Sequence, residues 1–230
     1  MSTFPEPYKL ADKTIAKLIK QILRRYEIVR SRLLIKGFDE LNVIQQIDRL
    51  YEELDKDVRR ELKRLYADRF IDVYAFALEN GAARIDYIDE MAELAIAGLL
   101  SDLNPVLRYS YETEVIRKRD RAKEAINAAP GKDQKLFELK KATRMWSQMV
   151  KWFVDMAEQL ADEEALRGAD VQRVRWHAQK DNRVCSDCNS LDGKVFDIDH
   201  IPPKPHPGCR CYITPEPDER KSERKSTNKK

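Results

Sequence analysis

The chain has 230 residues and a mass of 26.9 kDa, enough for one sizeable domain or two small ones. Charged residues make up 36% of it and apolar residues 42%, and the net charge is only +3. With 7 glycines and a mean hydropathy of −0.65, this composition excludes a collagen-like or wholly disordered chain and favours helices. The longest apolar run, LAIAGLL at 94–100, is far short of the roughly 18–20 residues a membrane span requires. The first residues show no basic stretch leading into an apolar one, so no secretory leader is expected and the default compartment is the cytoplasm.

Apolar residues recur at gaps of three and four from Ile15 to Leu33, which predicts a helix over about 10–35 that stops at Gly37. Ile44, Ile47, Tyr51, Leu54, Val58, Leu62 and Leu65 continue the pattern near heptad spacing. Through Phe70, Val73, Tyr74 and Ala77 it runs to Gly81, as two helices or one long bent one. A third helix is expected over 84–100, before Asn104-Pro105, and a fourth over 106–129, before Pro130-Gly131. A fifth, over 133–167, carries Leu136, Leu139, Met145, Trp146, Met149, Trp152, Phe153, Met156 and Leu160 and closes at Gly168. Its aromatic and Met stripe reads as a packed core face rather than a cofactor box. Charged residues such as Glu52, Lys56, Asp57, Arg60, Glu61 and Arg64 read as mostly solvated helix surface. The first 168 residues contain no His, no Cys and no Gly-rich phosphate loop, so they are expected to be scaffold.

After Gly168 the character changes. Val171, Val174 and Trp176, then Val195, Phe196 and Ile198, then Cys211, Tyr212 and Ile213 predict short strands among closely spaced turns. A module of about 45 residues is too small to hold itself together by an apolar core alone, and a metal is a common remedy. All four cysteines lie in it, as Cys185-x-x-Cys188 and His206-Pro-Gly-Cys209-Arg-Cys211. A C-x-x-C turn aims two thiolates at one centre, and a second pair from a distant strand completes a tetrahedron, which suits structural Zn²⁺. Five candidates, Cys185, Cys188, His206, Cys209 and Cys211, compete for four places. Two disulfides or a redox C-x-x-C pair are the alternative uses of these thiols. His177 and His200 read most simply as surface or loop histidines.

The run Asp197-Ile-Asp-His200-Ile-Pro202 resembles the Asp-His-Ile/Val core of HNH nucleases, in which the His activates water beside a metal-bound phosphate. The Asn and the later His or Asn of that site are not found at suitable positions after His200. A metal-dependent nuclease and a zinc-module DNA-binding protein therefore stand as the alternative functions.

The longer string is more specific. Trp176, Asp181-x-Arg183-x-Cys185-x-x-Cys188, Leu191-x-Gly193-x-x-Phe196, Pro202-Pro203 and His206-Pro-x-Cys209-Arg-Cys211 together resemble the C-terminal signature of the phage Mu F-like head-morphogenesis proteins. The pattern departs in placing Lys204-Pro205 between the proline pair and His206. The resemblance covers about 45 residues. It implies a non-enzymatic minor head protein of a tailed bacteriophage, present in the virion and assembled in the host cytoplasm. It also implies association with the portal protein and with capsid or scaffold proteins, and an influence on DNA packaging or ejection.

The expected architecture is mainly α: a multi-helix scaffold over 1–168, a small α+β zinc-stabilised module over 169–214, and a disordered charged tail over 215–230. The tail holds six basic and four acidic residues and could touch packaged DNA. Basic and acidic residues balance at 30 each over 1–168, so the excess positive charge falls in the module and tail.

Overall fold

The computed structural model describes residues 4, 8–80, 105–182 and 184–216. Four long helices are built there: α1 Lys9–Lys36, α2 Glu40–Glu79, α3 Pro105–Ala128 and α4 Lys132–Gly168. They are followed by β1 Arg173–His177, a short helix α5 Ser186–Leu191, β2 Val195–Asp197 and β3 Tyr212–Pro215. The second apolar pattern is one continuous 40-residue helix, about 60 Å long at 1.5 Å per residue. The helix expected over 84–100 and the tail from 217 onward lie outside the described residues.

The helix boundaries follow from local chemistry. Gly37, at φ 98°, ends α1 with its N–H on the Leu33 carbonyl at 3.0 Å, a conformation that costs an L-residue with a Cβ far more than glycine. Asp39 then caps α2 by accepting from the Asn42 N–H at 3.0 Å. At its far end, α4 includes Gly168, and Asp170, at φ 55°, turns the chain toward β1.

Pairings fix the helix directions. Arg25 meets Glu53 and Asp57, and Lys17 meets Glu61, so α1 runs antiparallel to α2. Lys123 meets Asp48 and Arg59 meets Glu112, so α3 is also antiparallel to α2. Tyr51 packs edge-on against Trp146 while Arg69 binds Asp162, so α2 and α4 run parallel as the central pair of the bundle. The long ion pairs correct one expectation: Asp57 and Glu61 are buried between α1 and α2 rather than solvated. The Glu52–Lys56 pair is exposed, as expected.

The bundle core joins Leu18, Ile22, Leu33, Ile47, Leu54, Val58, Trp146 and Phe153, which confirms the aromatic stripe of α4 as packing surface. A second apolar cluster lies where α2 and α4 meet the sheet. Phe70, Val73, Tyr74 and Ala77 of α2 and Ala161, Ala165 and Leu166 of α4 pack there with Val174, Trp176, Cys188, Cys209, Cys211 and Ile213. The sheet order is β2-β1-β3, all antiparallel, with Val174 opposite Phe196 and Trp176 opposite Ile213. Alternation along β1 sends Val174 and Trp176 into this shared interior. Pro215 belongs to β3, and Glu216 accepts two hydrogen bonds from Arg175.

Trp146 is fully buried at the centre of the bundle. Trp146→Ala is expected to lower the unfolding free energy by about 3–5 kcal/mol, whereas Phe137→Ala at an exposed position of α4 changes it by less than about 0.5 kcal/mol; urea unfolding of both variants measures the difference.

Candidate metal centre

Cys185 is the N-cap of α5, and its Sγ accepts the Cys188 N–H at 3.3 Å. The cap turns the C-x-x-C segment back on itself and brings Cys188 over the module interior, where it is 3% exposed. Asp192-Gly193 then reverses the chain, with Gly193 at φ 77° and Asp192 accepting the Ala178 N–H at 2.9 Å. The chain returns through β2 and the proline-rich stretch to His206.

Four donor atoms gather around the Cys188 sulfur. Cys185, Cys188 and His206 form one group and Cys188, Cys209 and Cys211 another, with the ligand atoms of each group all within 4.8 Å of one another. The Cys188 Sγ lies 3.3 Å from His206 Nε2 and 3.6 Å from Cys209 Sγ. Zn–S bonds of about 2.3 Å give tetrahedral edges of about 3.7 Å, so these separations fit ligands of one ion. All four cysteines are free thiols.

The electrostatics fit the same use. Burial and neighbouring thiols push the Cys188 thiol up to about 12, and contact with Cys211, then burial, pushes Cys209 well above the ordinary thiol value. Cys185 moves the other way, because the Cys188 N–H points at its sulfur. Burial here penalises the thiolates rather than the neutral thiols, and a divalent cation held among them would supply the positive charge that offsets that penalty. His206 Nδ1 lies 3.2 Å from the Pro207 carbonyl, which selects the tautomer with the lone pair on Nε2, facing Cys188.

The scaffold reaches into this centre through residues that sequence reasoning missed. On α4, Asp155, Glu158, Gln159 and Asp162 follow helical i, i+3, i+4 and i+7 spacing, and the three acids are each 3% exposed. Asp155 accepts from the backbone N–H groups of Gly208 and Cys209. Gln159 accepts the Lys204 N–H at 2.8 Å and donates to the Pro202 carbonyl at 2.9 Å. Glu158 forms a buried ion pair with Lys204 at 2.7 Å, and Asp162 one with Arg69. Burial pushes the Asp155 carboxyl up to about 7, against the pull of Lys204 and the two backbone N–H groups. Lys204, together with Pro202, thus ties the proline-rich stretch to the bundle. The sequence did carry one signal: acids spaced for a single helix face directly beside the apolar stripe.

The remaining histidines sit elsewhere. His177 is on β1, half-buried, stacked on Tyr212 at 4.9 Å and hydrogen-bonded to Thr214 Oγ1 at 2.8 Å. Burial holds its imidazole below the usual value. His200 lies exposed in a turn, its N–H on the Asp197 carbonyl, and neither metal-competent group among the described residues includes it. Asp199 beside it pairs with Arg167. Among the described residues no helix follows His200, so the ββα frame of an HNH site is not formed there.

Removing one partner of the Lys204–Glu158 pair leaves a buried charge without its counter-ion. Lys204→Met is expected to cost about 3–5 kcal/mol in urea unfolding, and pairing it with Glu158→Gln recovers part of that loss.

A family model described as "Phage Mu protein F like protein" matches residues 13–214, that is, the bundle and the module together. No curated protein and no solved structure gives a significant match.

Proposed function

The chain belongs to the phage Mu protein F-like family, a phage head-morphogenesis family, and from that premise we propose that it is a minor head protein of a tailed bacteriophage with a structural zinc centre. The observation that carries this reading is the extent of the family match, which runs through the helical scaffold as well as the Cys/His module. In the proposed role the protein is carried in the virion after assembly in the host cytoplasm. It associates with the portal protein and with capsid or scaffold proteins, and acts in DNA packaging or ejection rather than as an enzyme. Among the described residues no helix is long and apolar enough to cross a membrane.

The candidate ligands are Cys185, Cys188, His206, Cys209 and Cys211. A zinc ion bound there supplies the positive charge that lets buried thiols ionise, and it cross-links the α5 turn to the 206–211 loop. The buried position of Cys188, Cys209 and Cys211 supports a structural ion rather than a catalytic one, since a catalytic zinc keeps a position open to water. Contact of the basic tail with packaged DNA is the remaining part of the proposal, and it is of the salt-sensitive, sequence-independent kind.

Two measurements test the role and the metal separately. Elemental analysis of protein purified under reducing conditions is expected to find about one zinc per chain, lost in Cys188→Ser; metal-free protein with two mapped disulfides would overturn the zinc reading. Co-purification with portal protein from phage-infected cells, and recovery in DNA-filled particles, is expected for a minor head protein. Its absence from both, with metal-dependent DNA cleavage abolished by His200→Ala, would favour the nuclease instead.

A further inference from the structure

The arginine between the last two candidate ligands lines a small cavity together with Cys188, His206 and Cys211. Cys209 and Cys211 are 2% and 3% exposed, while the Arg210 guanidinium is half-buried and reaches carboxylates outside the Cys/His cluster. There its Nη1 binds Asp181 at 2.7 Å, its Nη2 binds Asp12 at 2.7 Å, and its plane lies 4.4 Å from the centre of the Tyr8 ring. Asp12 belongs to the first turn of α1, 198 residues earlier in the chain.

The neighbouring N-terminal residues are held along the same seam. The Tyr8 N–H donates to Glu158, the carboxylate that also binds Lys204, at 3.1 Å. Phe4 packs edge-on against Phe76 of α2 at 5.0 Å and stacks on Tyr212 of β3 at 5.8 Å, with the Arg69 guanidinium 5.3 Å from its ring centre. Tyr8 adopts φ 65°, a left-handed conformation that an aromatic residue rarely takes without compensating contacts. Phe4, Tyr8 and Asp12 thus touch α2, α4, β3 and the ligand loop.

We infer that Arg210 couples the metal centre to the N-terminus: occupancy of the centre fixes the backbone on both sides of Arg210, and the fixed guanidinium holds Tyr8 and Asp12 in a clasp across the bundle–module seam. The inference rests on the zinc reading above. Each contact is individually weak, since the Asp12–Arg210 pair is partly exposed, and only a preordered Arg210 makes them act together. Linkage then works in both directions: losing the metal frees the N-terminus, and losing the clasp loosens the metal.

The test uses the full chain loaded with zinc. Transfer of zinc to a chromophoric chelator is timed for the wild type, for Phe4→Ala combined with Asp12→Asn, and for Trp146→Ala, which weakens the bundle core without touching the clasp. The double variant is expected to hold the same zinc content but release it at least about fivefold faster, with Trp146→Ala close to wild type. Reciprocally, stripping zinc under reducing conditions is expected to speed amide exchange in the first turn of α1 at least about fivefold, while the centres of α2 and α4 stay protected. Equal release rates and unchanged exchange, with zinc still bound, would overturn the coupling alone. Release accelerated as much by Trp146→Ala would overturn it too, because general destabilisation would then account for the effect. A wild type that binds no zinc would remove the metal reading itself, and the coupling with it.

Discussion

Three carboxylates and an amide on one face of α4 set the terms for the rest of the molecule. Asp155, Glu158 and Asp162 are buried, and a buried carboxylate without a partner costs several kcal/mol or more. Each partner comes from a different place: Arg69 from α2, Lys204 and the Gly208 and Cys209 N–H groups from the ligand loop, and the Tyr8 N–H from the N-terminus. Satisfying those four residues therefore fixes where the loop sits. That placement brings His206, Cys209 and Cys211 to Cys188. The candidate ligands are local to the module, but their geometry is set by the bundle.

The same constraint explains why so small a sheet can be ordered. β1, β2 and β3 have five, three and four residues, too little surface for an independent core. Val174, Trp176 and Ile213 instead pack on Phe70, Val73, Ala161 and Ala165, so the ends of α2 and α4 form the other half of the sheet's interior. The result is a long helical body with the sheet packed on the ends of α2 and α4. The charge balance of the scaffold also has a structural cause. Arg119 and Lys123 of the basic run on α3 pair with Asp48 and Asp120, and Arg117 and Lys118 pair with Glu114. Of these pairs, only the two Asp48 contacts link α3 to α2, and the others lie within α3 itself.

Much of this was legible in the sequence, for identifiable reasons. Helical periodicity locates α1 and α4 because their apolar residues face one core, α3 is located by the breakers Asn104-Pro105 and Pro130-Gly131 at its ends, and Gly37 ends α1 through its backbone geometry. The Cys/His spacing brings the candidate ligands together because turns of two or three residues leave few alternatives. The polar stripe on α4 was not legible as a buried surface. Acids at helical spacing look the same whether solvent or a buried lysine faces them, and Lys204 reads as an interruption of the family pattern rather than as a counter-ion. Asp57 and Glu61 look like solvated helix surface for the same cause, since their partners Arg25 and Lys17 lie on another helix. No breaker residue decides between one helix and two for α2, and packing against α4 decides it instead. The N-terminal contacts join residues almost 200 positions apart and leave no local trace.

The central claim is that bundle and module share one interior and unfold as one unit. Trp176 is the only tryptophan in the module, since Trp146 and Trp152 both lie on α4. With Trp146→Phe and Trp152→Phe in place, fluorescence reports on the module and far-ultraviolet circular dichroism on the helices. Urea unfolding followed by both signals is expected to give one coincident transition. Loss of the Trp176 signal at a clearly lower urea concentration than the helical signal would contradict the account, because the module would then be an independent appendage to a self-sufficient bundle.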